Sequence, residues 1–169
     1  PVVQGNDDSY YLTHTFKKTE HVVGAIFLDS DNNADFSDDK NIIYGHNMKD
    51  GSMFRGLRNF LDDEFLKEHH ILYLYLPDEG VWIFVIVKCE YTPADGDAFL
   101  LGTQEEVPTL LLSTCGTDAS KRLVIWCERQ EENGEQIEYS DEETEVQEAG
   151  DDLAFLDGEF VENETHDFI

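Results

Sequence analysis

Three side chains in this 169-residue chain carry the chemistry of nucleophilic acyl transfer: the thiol of Cys115, the imidazole of His46 and the guanidinium of Arg122. Each stands at the end of an apolar run. His46 follows NIIYG (41–45), Cys115 closes TLLLSTC (109–115), and Arg122 opens RLVIWCE (122–128). The thiolate is the useful nucleophile, and a free cysteine with a pKa of about 8.5 is mostly protonated at neutral pH. A cationic imidazolium or guanidinium beside it favours the thiolate. Acyl transfer also needs donors aimed at the developing oxyanion, which an arginine on a neighbouring strand supplies. Singly, each residue has a plainer reading: His46 as a loop cap, Cys115 as a packing residue, Arg122 as a surface strand charge. The joint reading gains weight because all three lie at strand ends in a chain with only 6 His, 3 Cys and 11 Lys plus Arg.

The elements that must position them are mostly strands. HVVGAIFLDS (21–30), ILYLYLP (71–77) and VWIFVIVKCEYT (81–92) are apolar, β-rich runs, the last two separated by the turn signal Asp78-Glu79-Gly80. VPTLLLSTC (107–115) and RLVIWCE flank GTDASK as a further pair. Between Ser52 and His69 the period changes. Met53, Leu57, Phe60, Leu61, Phe65 and Leu66 recur at three- and four-residue steps, which predicts one or two short helices with Asp62 or Asp63 as a cap. Residues 93–106 read as a long loop. This order predicts a mainly antiparallel β-barrel with a small helical insert.

Composition sets the outer limits. One domain with a real core is expected at this length. The formal charge of −27 argues against sequence-independent affinity for nucleic acid or anionic lipid. Residues 131–169 hold 16 of the acids and no Lys or Arg. Cys89, Cys115 and Cys127 form neither a metal knuckle nor a disulfide framework. The alternation Asp29, Asp31, Asn33, Asp35 imitates a calcium loop but has Ala34 where the glycine belongs and Lys40 where the bidentate glutamate belongs, so no metal site is expected there. His69 and His70 read as charges at a helix C-terminus. No segment reaches the roughly 20 apolar residues that cross a bilayer, and PVVQGNDDSY does not read as a signal peptide.

YGHNMKDGSMF (44–54), TLLLSTC (109–115) and KRLVI (121–125) resemble the motifs of class B sortases, and GAIFLDS (24–30) and SYYLTHTF (9–16) resemble that family's lead-in to the barrel. The resemblance spans roughly residues 9–128. It implies a closed eight-stranded β-barrel with short helical insertions. It also implies a cysteine transpeptidase on the outer face of a Gram-positive membrane, without a cofactor. Such enzymes cleave an NPxTx-type sorting signal after Thr through a Cys thioester. They pass the acyl group to an amine of a peptidoglycan precursor or a pilin. By motif, Cys115 is the nucleophile, His46 the proton carrier and Arg122 the group that holds substrate and oxyanion. Tyr44, Ser113 and Thr114 would line the peptide groove.

The expected organisation is a catalytic barrel over 1–130 and an acidic extension over 131–169. The family's N-terminal membrane anchor is expected to be missing from this chain. Leu153, Phe155, Leu156, Phe160, Val161 and Phe168 predict that the region around 151–161 docks on the barrel, with 131–150 as an acidic connector; the alternative expectation is a disordered extension. Two other functions fit the same residues: a catalytically weak sortase-like barrel that binds peptides or surface partners, and a hydrolytic cysteine protease.

Overall fold

The computed structural model describes residues 1–77, 80–115 and 120–130, with the last residue of the second stretch, Cys115, placed by its backbone. The expected docking of 151–161, like the whole extension 131–169, lies outside the described residues. So do Asp78 and Glu79 of the expected hairpin turn.

Seven strands form one sheet: β1 (Val2–Gln4), β2 (Ile26–Leu28), β3 (Lys40–Tyr44), β4 (Ile71–Leu76), β5 (Gly80–Pro93), β6 (Thr109–Cys115) and β7 (Lys121–Arg129). Their order is β1-β2-β3-β6-β7-β5-β4. The β4–β5 hairpin is present, with Leu76 opposite Gly80 and Ile71 opposite Val85. β7 pairs antiparallel with both β5 and β6. The sheet is not antiparallel throughout, because β1–β2 and β3–β6 run parallel. A parallel pair needs a long crossover, and here the chain between β3 and β6 supplies the helices, the β4–β5 hairpin and the 93–108 loop. The architecture is mainly β, as expected. Among the described residues it has seven strands, with β1 and β4 at the two ends of the order.

Two apolar faces explain why these strands read as continuous hydrophobic runs. One carries Ile43, Leu110, Leu112, Ile125 and Cys127, covered by Phe54, Leu57, Phe60 and Leu66. The other carries Ile42, Leu111 and Val124, covered in part by Tyr44, Phe99, Leu101 and Trp126. Strands buried on both faces lose the in–out alternation of polarity.

The helical insert is as the periodicity predicts. A 3-10 helix spans Phe54–Leu61, and α1 spans Asp63–Glu68. Asp62 is the cap, its carboxylate accepting from the backbone N–H groups of Glu64 and Phe65 at 3.0 and 2.9 Å. His69 and His70 follow α1, each with Nδ1 on a carbonyl of its last turns, those of Phe65 and Lys67. The HVVGAIFLDS run yields only three strand residues. Gly24, at φ +62°, turns the chain just before Ala25, whose N–H bonds to the carbonyl of Tyr11. The 93–106 loop contains one 3-10 turn, Asp97–Phe99. It is tied down by buried Lys40, whose Nζ lies 2.8 Å from Glu105 Oε1 and donates to the Leu100 carbonyl.

Candidate active site

The end of β3, the end of β6 and the start of β7 converge. In the parallel β3–β6 pair Tyr44 stands beside Ser113, and the Gly45 N–H continues the ladder to the Ser113 carbonyl at 3.1 Å. Counting two residues onward along both strands brings His46 level with Cys115. In the antiparallel β6–β7 pair Cys115 is directly opposite Arg122, and Arg122 is opposite Thr92 of β5. The row His46, Cys115, Arg122 therefore crosses three neighbouring segments of the chain.

Alternation along β6 sorts the other candidates. Ser113 shares its face with Leu111 and the register position of Cys115. Its hydroxyl, only 1% exposed, has no hydrogen-bond partner among the described residues. Thr114 belongs to the opposite face, beside Leu112 and across from Leu123, and is also buried. The backbone thus groups Ser113 and Tyr44 with the Cys115 row and separates Thr114 from it.

Tyr44 is fixed from behind. Its hydroxyl donates to Asp29 Oδ2 at 2.8 Å, and burial pushes the phenol well above its usual range. The Asp29 hydrogen bond and the negative charges of Asp29 and Asp8 push the same way, while the Arg122 charge pulls against them. Tyr44 is therefore a neutral hydroxyl donor at any physiological pH. Asp29 is itself buried and also accepts the backbone N–H of Asp31.

His46 is held on two sides. Its Nε2 lies 2.7 Å from the carbonyl oxygen of Leu12. A carbonyl only accepts, so Nε2 carries the proton in this contact, and Nδ1 is the acceptor nitrogen of the neutral ring. The His46 carbonyl accepts from the Phe54 N–H at 2.8 Å, and Asn47 bridges to Met53. A Cβ on Gly45 would lie 2.7 Å from the Phe54 ring, so the turn into His46 requires glycine. This explains the spacing of YGHNM and SMF: the second segment folds back as a brace for the first.

Cys89 and Cys127 are the other thiols. Burial pushes Cys127 up to about 12 and, with help from Glu90, Cys89 up to about 11. Both are protonated packing thiols, Cys89 in β5 and Cys127 in β7.

Sequence reasoning missed two partners, Asp29 behind Tyr44 and the Leu12 carbonyl behind His46. Asp29 was legible in principle, since it is the first polar residue after the apolar run 25–28. The Leu12 contact was not, because a backbone carbonyl carries no residue-type signal.

A mainly β sheet that lines up a cysteine, a histidine and an arginine at its strand ends is the framework of a sortase-type barrel. The sortase domain family model matches residues 1–130, and the chain belongs to the sortase family. Its relatives are of class B. It is 51% identical over 69 residues to sortase B of Listeria monocytogenes, an alignment covering 41% of this chain and 28% of that protein. With sortase B of Staphylococcus aureus it shares 33% over 72 residues, covering 43% and 30%. The chain thus aligns with under a third of the length of either curated relative. Among solved structures, sortase B from Listeria monocytogenes superposes with a TM-score of 0.62 at 31% identity, covering 76% of this chain and 85% of that one. Clostridium perfringens sortase B gives 0.67 at 25%, covering 78% and 86%.

Proposed function

We propose that this chain is a cysteine transpeptidase that cleaves an NPxTx-type sorting signal after Thr and transfers the acyl group to an amine of a peptidoglycan precursor or a pilin. The observation that carries the reading is the row of His46, Cys115 and Arg122 on adjoining segments. The Cys115 thiolate attacks the threonine carbonyl carbon. Arg122, opposite it, holds the oxyanion. The C–N bond then breaks, and His46 gives the leaving amine its proton, leaving a thioester on Cys115. In the second half the acceptor amine attacks that thioester, His46 takes the surplus proton, and the thiolate departs. Tyr44 and Ser113 line the groove on the same face, while Thr114 supports it from the core side. No cofactor enters this chemistry. The substrates would be surface proteins bearing sorting signals, on the extracellular face of the membrane, in a barrel completed by an eighth strand.

Mass spectrometry of the chain incubated with sorting-signal peptides, with and without amine acceptors, tests this. A peptide-sized adduct on Cys115 and an amine-dependent product are expected. Cleavage that persists in Cys115→Ala would refute the assignment, and cleavage that never diverts to an amine would make the protein a hydrolase.

A further inference from the structure

The face of the sheet that bears the catalytic row carries a buried ion pair that takes no part in the steps above. Alternation along β3 sets Lys40, Ile42 and Tyr44 on one face, and His46 follows two residues on. Ile42, Leu111 and Val124 form the apolar floor of that face, and Phe99 and Leu101 of the 93–106 loop pack onto it. Tyr44 packs against the same cluster, so the loop borders the groove residues. Leu111 is four residues before Cys115 on β6, and Val124 is two residues after Arg122 on β7. A peptide attacked at Cys115 therefore reaches the loop within about two to four extended residues, at roughly 3.3 Å each.

Among the described residues, the polar contacts between 95–106 and the strands beneath it end on Lys40 Nζ. That atom lies 2.8 Å from Glu105 Oε1 and donates to the Leu100 carbonyl at 3.3 Å, between the two apolar anchors Phe99 and Leu101. The Thr103 hydroxyl donates to the same Glu105 oxygen at 2.7 Å. Lys40 is only 6% exposed. A buried ammonium needs its counter-charge, so Lys40 holds the loop against the sheet in this one position.

We infer that the Lys40–Glu105 pair is a positioning latch for the peptide groove, a role that rests on the transpeptidase reading above. It fixes Phe99 and Leu101 on the catalytic face as the apolar wall against which the sorting-signal peptide binds. The latch itself touches neither the peptide nor the reacting atoms. It acts on substrate affinity: with the wall already held, binding does not carry the entropy of ordering a loop. Once the latch is cut, each peptide must order the loop for itself, and affinity falls while the chemistry is left alone.

The test is a double-mutant cycle on peptide cleavage with Lys40→Met, Glu105→Gln and the two combined. Each single variant should raise the peptide KM about tenfold, the scale of one hydrogen bond to a charged group, with kcat unchanged. The double variant should be no worse than the singles, because all three cut one contact. Hydrogen exchange at 97–105 should quicken in the variants, while iodoacetamide, which needs no groove, should alkylate Cys115 at the unmodified rate. Thermal melts establish that the variants are folded. If Glu105→Gln unfolds by leaving Lys40 buried without its counter-charge, Lys40→Met and the double variant, which lack that charge, give the answer. An unchanged KM in folded variants overturns the latch, whether or not exchange quickens. KM effects that add in the double variant overturn it as well, since they would come from separate contacts. So does a fall in kcat or slower alkylation at constant KM, which would place the pair's action on the catalytic row. Failure of the unmodified protein to cleave any sorting-signal peptide overturns the transpeptidase reading itself, and the latch with it.

Discussion

Cys115 stands directly opposite Arg122 in the antiparallel register of β6 and β7. Residues so paired have their Cβ atoms about 4.5–5.5 Å apart on one face of the sheet, so the guanidinium is placed by the ladder and not by a loop. Removing it should cost mainly transition-state stabilisation. Arg122→Ala is expected to lower kcat/KM for peptide cleavage by roughly 10²–10³, the range for loss of an oxyanion donor. Arg122→Lys keeps the charge but not the fork of donors and should recover only part of the rate. Steady-state kinetics on a sorting-signal peptide decides this; a loss under threefold would mean that the oxyanion is held elsewhere.

Gly45 is the tight point of the His46 turn. Gly45→Ala places a Cβ against the Phe54 ring, which is itself packed on the core. Overpacking of this kind costs typically about 1–3 kcal/mol. The variant should melt lower and lose activity, because relief of the clash moves either His46 or its brace. Urea titration and peptide turnover measured together check both halves.

Tyr44→Phe deletes one hydroxyl and leaves Asp29 buried without its phenol donor. A buried acceptor stripped of its partner costs about 1–3 kcal/mol, more for a charged one. Equilibrium unfolding should show this loss. Tyr44→Phe/Asp29→Asn should recover part of it, because the neutral amide no longer leaves a charge unsatisfied.

The buried thiols set an alkaline limit on stability. Cys127 keeps its proton in the folded state up to about 12, from an ordinary value of 9.0. Between those values the unfolded chain has lost a proton that the folded chain retains, so stability falls as pH rises. Cys127→Val should flatten the decline of melting temperature above about pH 9. Native-state alkylation at neutral pH should modify Cys115 and spare Cys127.

Asp62→Ala removes the two hydrogen bonds that start α1. A loss of about 1 kcal/mol is expected from the cap, visible by chemical denaturation. A measured change below 0.3 kcal/mol, small beside the roughly 0.5–2 kcal/mol range for caps, would show that packing of Phe65 and Leu66 alone holds the helix.

The sequence by itself determined the residue types and the strand ends. Apolar runs bounded by Gly45, Cys115 and Arg122 read directly as strands with chemistry at their ends, and the three- and four-residue steps of 53–66 announced the helices and a cap at Asp62 or Asp63. These signals are local, because period and punctuation arise from neighbours in the chain. Tertiary structure decided what meets what. The parallel pairing of β3 with β6 joins residues about seventy positions apart, and nothing local distinguishes it from an antiparallel neighbour. A one-residue slip in that register would move every side chain of β6 to the other face relative to β3, so the register decides that Ser113 rather than Thr114 stands beside Tyr44. The Leu12 carbonyl on His46, Asp29 behind Tyr44 and the Lys40–Glu105 pair likewise exist only once strands and helices are in place. Each depends on backbone groups or distant side chains whose identities do not advertise the contact.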